Sequence, residues 1–193
     1  SPYMLVCSPA LPARTVGEFL DLARARPGEL TFSHGNQSAL IFSTLMAQMA
    51  GVRMLGVPYR GGAEALTDVV AGRISSTFTD FVNGPNQARD GRVRALGVST
   101  RERFRLAPDL PPVADTLPGY DLSVWFGLAA PLRTPAAVVE RANAALNRAL
   151  VRPDTQARLA QQGMAPRPMT PPAFGDYVRA ELDRWGELVR RAG

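Results

Sequence analysis

The loop at residues 33–38 is the part of the sequence whose residue types indicate binding chemistry. It follows a short apolar strand, enters a helix and consists of Ser33, His34, Gly35, Asn36, Gln37 and Ser38. In an open α/β sheet, the backbone N–H groups at such a helix start point into the crevice beyond the strand ends and favour an anion. Glycine and small hydroxyl residues let a carboxylate or a phosphate come close. We therefore expect these six residues to belong to an anion site.

The same arrangement recurs after two later strands. Residues 58–62 place Tyr59 before a Gly-Gly pair at a helix start, and Thr79 with Asp80 form a weaker version. Three such loops on one edge of a sheet would make an anion pocket. Short connections also use Gly, Ser and Asn for turn geometry alone, so each loop keeps the alternative of being a plain turn.

Catalysis has weaker support from the same residues. Ser33 and His34 are adjacent on an extended segment, so their side chains should point opposite ways. The sequence contains no G-x-S-x-G elbow, Walker loop or G-x-G-x-x-G loop. With one cysteine, Cys7, and one histidine, no intrachain disulfide can form and no cysteine- or histidine-based metal site is expected. The residues thus predict binding without a metal or a cofactor.

Composition excludes several classes of protein. The 193 residues are 46% hydrophobic and 20% charged, which is typical of a globular chain and argues against a disordered tail or a coiled coil. The net charge is +5, and all 22 basic residues are arginines scattered among Asp and Glu, so a nucleic-acid surface is not expected. No run of about 18 apolar residues predicts a membrane span.

The positions of apolar residues predict the elements that would hold these loops. Short apolar runs at residues 3–7, 30–32, 54–57, 74–78 and 93–98 are typical of strands, and helical patterns lie between most of them. Strands that alternate with helices indicate a parallel sheet with helices on its faces.

The pattern changes after a proline-spaced loop at residues 100–120. Residues 124–130 predict one more strand, and three helices should follow from about residues 135, 153 and 171. Val138, Ala142, Leu146 and Ala149 trace an apolar stripe that we expect to be buried. This helical part has no sheet of its own on which to lay such a stripe. Either it packs on the first part, or some of its natural sheet is not in this chain.

Several motifs in fixed order resemble one family. They are VPYRG at residues 57–61, LTD at 66–68, GRVRAL at 91–96, WFGL at 125–128 and TP at 134–135. Together they resemble the Bordetella uptake gene (Bug) family, the periplasmic solute receptors of tripartite tricarboxylate transporters. The resemblance runs from about residue 3 to residue 193. It implies that the N-terminal third of the family's chain is not part of this sequence.

The resemblance implies an α/β type II periplasmic binding protein ("Venus flytrap") fold with one complete parallel-sheet lobe and the C-terminal helical part of the other lobe. Residues 1–8 and 124–130 would be hinge strands, residues 9–123 the ligand-binding second lobe, and residues 131–193 the returning portion of the first lobe. The implied function is periplasmic capture of a small carboxylate, such as a di- or tricarboxylate, an amino acid or an aromatic acid, and its delivery to membrane permease subunits. Nucleic acid is not an expected partner.

The family's ligand loop resembles S-x-G-x-G-[ST]-x-x-H. Ser33, Gly35 and Ser38 match its serine, first glycine and hydroxyl positions, whereas Gln37 replaces the second glycine and Ile41 replaces the histidine. Thr79 and Asp80 match an acidic or amide pair that can meet a ligand's amino or hydroxyl group. If it lined the pocket, Asp80 would favour an amine-bearing acid and repel a further carboxylate.

Two other function classes stay open at this point. One is the effector-binding domain of a transcription regulator, which can share the fold, and the other is a serine hydrolase that uses Ser33 and His34. Because half of the cleft would be absent, we expect this chain alone to bind weakly or not at all. Apolar surface of the first lobe would then be bare, so self-association is also expected.

Overall fold

The computed structural model describes the backbone of residues 1–192 and the side chains of residues 1–190. The chain forms two compact units. Pro2–Val124 make an α/β unit, and Trp125–Arg191, together with Ser1, make a unit of helices and loops.

Five strands alternate with helices in the α/β unit. The strands are β1 (Met4–Cys7), β2 (Thr31–His34), β3 (Leu55–Pro58), β4 (Ser76–Thr79) and β5 (Arg94–Val98). The helices are α1 (Val16–Ala25), α2 (Gln37–Ala50), α3 (Gly62–Val70) and α4 (Gly84–Arg89), followed by a 3-10 turn at Val113–Asp115. The predicted strands are confirmed, with small shifts of their ends.

The sheet is mixed rather than wholly parallel. Its strand order is β3-β2-β4-β1-β5, in which β2 runs parallel to β3 and to β4. β1 runs antiparallel to both of its neighbours, β4 and β5. The prediction of a parallel sheet therefore holds for four strands and is wrong for β1. Hydrophobic periodicity marks which residues are buried and carries no information on strand direction.

Helices cover both faces of this sheet. Met4 belongs to a buried cluster with Leu66 and Val69 of α3. The neighbouring Tyr3 packs instead against Phe42 of α2, with ring centroids 5.3 Å apart. Since successive residues of an extended segment point to opposite faces, α2 and α3 lie on opposite sides. Fully buried side chains such as Phe42 each contribute about 1.5–3 kcal/mol to folding through burial.

The second unit contains helices α5 (Ala136–Leu150), α6 (Pro153–Gln161) and α7 (Pro171–Ala192), which confirms the three predicted helices. The predicted burial of the α5 stripe is wrong. None of its residues is buried, and Val138 is 45% exposed. An apolar stripe is buried only where an opposing surface packs on it, and residues 125–190 include no sheet that could do so.

Residues 124–130 do not form the predicted strand. Phe126 and Leu128 are 73% and 74% exposed. A strand requires a hydrogen-bonded neighbour in a sheet, and the five-stranded sheet of the described residues does not include this segment. Its assignment as a hinge stays a prediction.

The start of that segment is instead anchored to α7. The indole N–H groups of Trp125 and Trp185 both donate to Oε2 of Glu181 at 3.1 Å, and the Glu181 carboxylate is buried. A Cβ atom on Gly127 would lie 2.3 Å from Cζ of Phe174, so only glycine fits against that ring. Residues of the WFGL motif thus pack on α7.

Candidate functional site

The loop after β2 forms a capped helix start. Asn36 is the N-cap of α2, with an extended backbone, and its Oδ1 accepts a hydrogen bond from the amide of Ala39 at 2.9 Å. The amides of Gln37 and Ser38 have no acceptor within the described chain, as is usual for the first residues of a helix. Asn36 and Gln37 are exposed, and Ser38 is half-buried. The loop is therefore open to solvent and presents unpaired N–H groups.

The loop after β3 forms a second helix start. Gly61 is the N-cap of α3 and supplies no side-chain acceptor to the helix. Of the first four amides of α3, that of Ala65 alone has an acceptor within the described residues, the carbonyl of Gly61 at 3.1 Å. The N–H groups of Gly62, Ala63 and Glu64 thus remain available to an external acceptor.

The two helix starts are in backbone contact. A Cβ atom on Gly35 would lie 2.1 Å from the carbonyl carbon of Gly61 and 2.4 Å from the amide nitrogen of Gly62. The amide of Tyr59 donates to the carbonyl of His34 at 2.9 Å and joins the same loops. Because β2 and β3 are parallel neighbours, both loops leave the sheet at one edge. The structure thus brings the first two predicted loops together.

Ser33 does not present its side chain at this loop. It is fully buried, and its hydroxyl donates to the carbonyl of Ala65 in α3 at 3.0 Å. The neighbouring His34 points the other way and stacks obliquely on Phe32, with ring centroids 6.1 Å apart. Burial lowers the pKa of His34 below its usual value, which favours the neutral imidazole at pH 7. Ser33 and His34 therefore do not form a nucleophile and base pair.

Tyr59 also uses its hydroxyl within the protein. The hydroxyl donates to Oδ2 of Asp68 at 2.6 Å, while Arg73 pairs with the other oxygen of that carboxylate at 2.8 Å. The bond to Asp68 is the largest cause that raises the pKa of Tyr59 to about 12. Tyr59 thus joins the loop to α3 through its side chain and to β2 through its amide.

Thr79 and Asp80 lie at the end of β4, on the same edge. Thr79 is buried and packs against Gly84, where a Cβ atom would lie 2.7 Å from its methyl carbon. Oδ1 of Asp80 accepts hydrogen bonds from the amides of Val82 at 3.0 Å and Asn83 at 2.8 Å. The Asp80 carboxylate therefore stabilises the turn into α4, a role that the sequence did not indicate.

Tyr3 is a site residue that the sequence did not single out. Its backbone amide donates to Oγ of Ser99 at 2.8 Å, and its hydroxyl accepts from Nδ2 of Asn36 at 3.4 Å. Burial, and next the negative charge of Asp80, raise the pKa of Tyr3. The antiparallel direction of β1 pairs Met4 with Thr79 and so places its start at the edge where β4 ends. The apolar run at residues 3–7 predicted this strand, but it did not predict the strand direction that brings Tyr3 to the site.

Three of the nine predicted residues thus have side chains that are engaged elsewhere: Ser33, Tyr59 and Asp80. The groups that remain at the edge are the helix-start amides, the side chains of Asn36 and Ser38, and the phenol of Tyr3. Such a set donates hydrogen bonds and includes no cationic side chain, and the partial positive charge of helix N-termini suits the oxygens of an anion. Among the described residues, no three or more His, Cys, Asp or Glu side chains cluster as a metal site would require.

No helix of the described chain combines the length and apolar character needed to cross a membrane.

A family model described as the tripartite tricarboxylate transporter family receptor matches residues 1–193. A UPF0065 protein encoded in the tcbD-tcbE intergenic region of Pseudomonas sp. strain P51 is 35% identical over 192 residues, which are 97% of this chain and 57% of that protein. Protein BugT of Bordetella pertussis is 28% identical over 196 residues, which cover 100% of this chain and 60% of BugT.

Solved structures match along the whole chain. Rpa4515 of R. palustris, described with adipate, has a TM-score of 0.89 and 29% identity over 100% of this chain and 65% of its own. MatC of Rhodopseudomonas palustris, described with bound malate, has a TM-score of 0.82 and 30% identity over 97% of this chain and 66% of its own. These likenesses confirm the predicted α/β binding-protein fold. The chain spans about three fifths to two thirds of the length of these four proteins.

Proposed function

We propose that this chain, which belongs to the tripartite tricarboxylate transporter receptor family, captures a small dicarboxylate in the periplasm for delivery to membrane permease subunits. The match to BugT and to the UPF0065 relatives confirms the resemblance to the Bug family. The compartment, the permease and the solute are part of the proposal.

One observation carries it: the contact of Gly35 with Gly61, which holds the starts of α2 and α3 side by side. Each helix start carries a partial positive charge from its aligned peptide dipoles and N–H groups without intrahelical acceptors. A carboxylate near one start gains about 0.3–1 kcal/mol from the dipole, beyond its direct hydrogen bonds. Two adjacent starts can share the two oxygens of one carboxylate.

The relatives with described ligands support a dicarboxylate. Rpa4515 is described with adipate and MatC with malate, which are both dicarboxylic acids. The half-buried Asp80 holds the turn at residues 80–83 through its carboxylate, so the proposal includes no contact between Asp80 and an amino group of the solute.

Titration of the isotope-labelled chain with adipate and malate, followed by amide NMR, tests the proposal. The N–H signals of Gln37, Ser38, Gly62 and Ala63 should shift together, with a dissociation constant of about 1 mM or weaker. Adipamide, the neutral diamide of the same length, serves as the matched control and should leave those signals in place. Shifts confined to other residues, or equal shifts with adipamide, would argue against a carboxylate site at the two helix starts.

We also propose that this chain self-associates through the helical unit. Leu132 is fully exposed, and Phe126, Leu128 and Leu182 are more than two-thirds exposed. Apolar surface of this kind favours association between copies. Light scattering should show a mass that rises with concentration, and a constant monomer mass would contradict this part of the proposal.

A further inference from the structure

Tyr3 occupies an unusual place at the proposed site. Its ring packs edge-on against Phe42, and the residue as a whole is only 9% exposed. The ring therefore has little freedom, and the hydroxyl is held beside the first turn of α2, where Nδ2 of Asn36 reaches it at 3.4 Å. No other tyrosine hydroxyl of the described chain is bonded to a helix N-cap.

The hydrogen bonds of this phenol leave its proton available. A tyrosine oxygen accepts hydrogen bonds and donates one. Asn36 donates to it, so this contact uses an acceptor position and not the O–H group. Ser38, the second residue of α2, lowers the pKa of Tyr3 as a donor to the phenol oxygen does, so it too leaves the O–H group free. The phenol proton of Tyr3 is therefore free to be donated beside the open amides of α2.

The charge nearby keeps that proton in place. Burial and the Asp80 carboxylate both raise the pKa of Tyr3, so the hydroxyl stays protonated across the physiological range. A protonated phenol is a donor, and a carboxylate is an acceptor only. The hydroxyl of Tyr59, on the neighbouring loop, already donates its hydrogen bond to Asp68 at 2.6 Å and offers no comparable donor.

We propose that Tyr3 is a specificity-determining residue of the site, whose hydroxyl donates a hydrogen bond to the solute carboxylate held at the start of α2. This inference rests on the proposed function and adds a side-chain donor from the residue before β1 to the backbone donors of two helices. It predicts a preference for an ionised carboxylate over an ester or an amide, because only the carboxylate combines a full charge with an unobstructed acceptor.

The test compares Tyr3→Phe with Tyr59→Phe by adipate titration of the full chain. Tyr3→Phe keeps the ring against Phe42 and should weaken adipate binding about tenfold, as expected for a lost hydrogen bond to a charged group. Tyr59→Phe removes a hydroxyl from the same sheet edge and should change affinity less than about twofold. Thermal unfolding and amide spectra of both variants check that each is folded.

The outcomes separate the two proposals. If wild-type chain shows no adipate-dependent shifts at the α2 and α3 starts, the proposed function itself fails. If those shifts occur and Tyr3→Phe binds adipate as well as wild type, or if both variants lose affinity equally, only the role of Tyr3 is overturned. Should Tyr3→Phe not fold, site-specific 3-fluorotyrosine at position 3 decides, because its more acidic phenol should tighten adipate binding and unchanged affinity would refute the contact.

Discussion

Gly35 lies so close to Gly61 that a Cβ atom on Gly35 would come within 2.1 Å of the Gly61 carbonyl carbon and 2.3 Å of its oxygen. The reverse does not hold, since a Cβ atom on Gly61 would meet nothing within 4 Å. A side chain at position 35 would therefore clash with the backbone, whereas one at position 61 would have room. It sets the separation of the α2 and α3 starts, on which the proposed anion site depends.

Gly35→Ala should push the two loops apart. The new methyl group has no room against the backbone of Gly61, so we expect a loss of about 1–3 kcal/mol in the free energy of unfolding, as in other overpacked sites. Adipate affinity should fall at least about tenfold because the two sets of amides separate. Gly61→Ala is the matched control and should cost less than about 1 kcal/mol, since its backbone is extended and its surroundings are open. Denaturant unfolding and calorimetry measure both, and equal effects of the two substitutions would contradict the asymmetry.

Asn36 allows stability and binding to be separated. Asn36→Ala removes the acceptor for the Ala39 amide and should lower the free energy of unfolding by about 1 kcal/mol. Asn36→Asp keeps an N-cap acceptor and places a negative charge at the helix start, so stability should be unchanged or slightly higher. The same charge should repel a carboxylate and weaken adipate binding, less so at high salt. Adipate binding by Asn36→Asp as strong as that of the wild-type chain would show that the anion does not lie at this helix start.

Ser33→Ala should affect mainly stability, whereas Ser38→Ala should affect mainly adipate binding. Ser33→Ala removes a buried hydrogen bond to Ala65 and should cost about 1 kcal/mol of stability while leaving adipate affinity nearly unchanged. Ser38→Ala removes a half-buried hydroxyl beside the open amides and should weaken adipate binding with little change in stability. The first variant also tests the hydrolase alternative. Turnover of generic esters that disappears in Ser33→Ala would revive it.

Glu181 should be required for the stability of the helical unit. Its buried carboxylate accepts from the indoles of Trp125 and Trp185, so Glu181→Ala leaves two N–H donors without that acceptor and should cost about 1–3 kcal/mol. Glu181→Gln keeps an oxygen that can accept these hydrogen bonds, so it should lower the stability less than Glu181→Ala does. Tryptophan fluorescence reports directly on this cluster, because both tryptophans of the chain are in it. Similar losses for the two substitutions would mean that the charge, rather than the acceptor, stabilises the cluster.

Part of the candidate site could be predicted because it depends on order along the chain. Loops that follow neighbouring parallel strands leave a sheet at the same edge, and this places residues 34–36 against residues 59–62. The identity of the exposed groups could not be predicted in this way. The hydroxyl of Ser33 donates to Ala65 in α3 and that of Tyr59 donates to Asp68. Both hydrogen bonds depend on which acceptor lies nearby in the folded chain.

The sequence by itself determined the succession of strands and helices, including the three helices after residue 130, and it identified the family. Hydrophobic periodicity and turn residues depend on positions only a few residues apart, so the strands and helices can be predicted from the sequence alone. Only the tertiary structure decided the direction of β1, the exposure of the α5 stripe and the presence of Tyr3 at the site. These features depend on partners far apart in the chain: Tyr3 meets Asn36 across 33 positions, and Ser33 meets Ala65 across 32. Such contacts exist only once the sheet has brought its strands together.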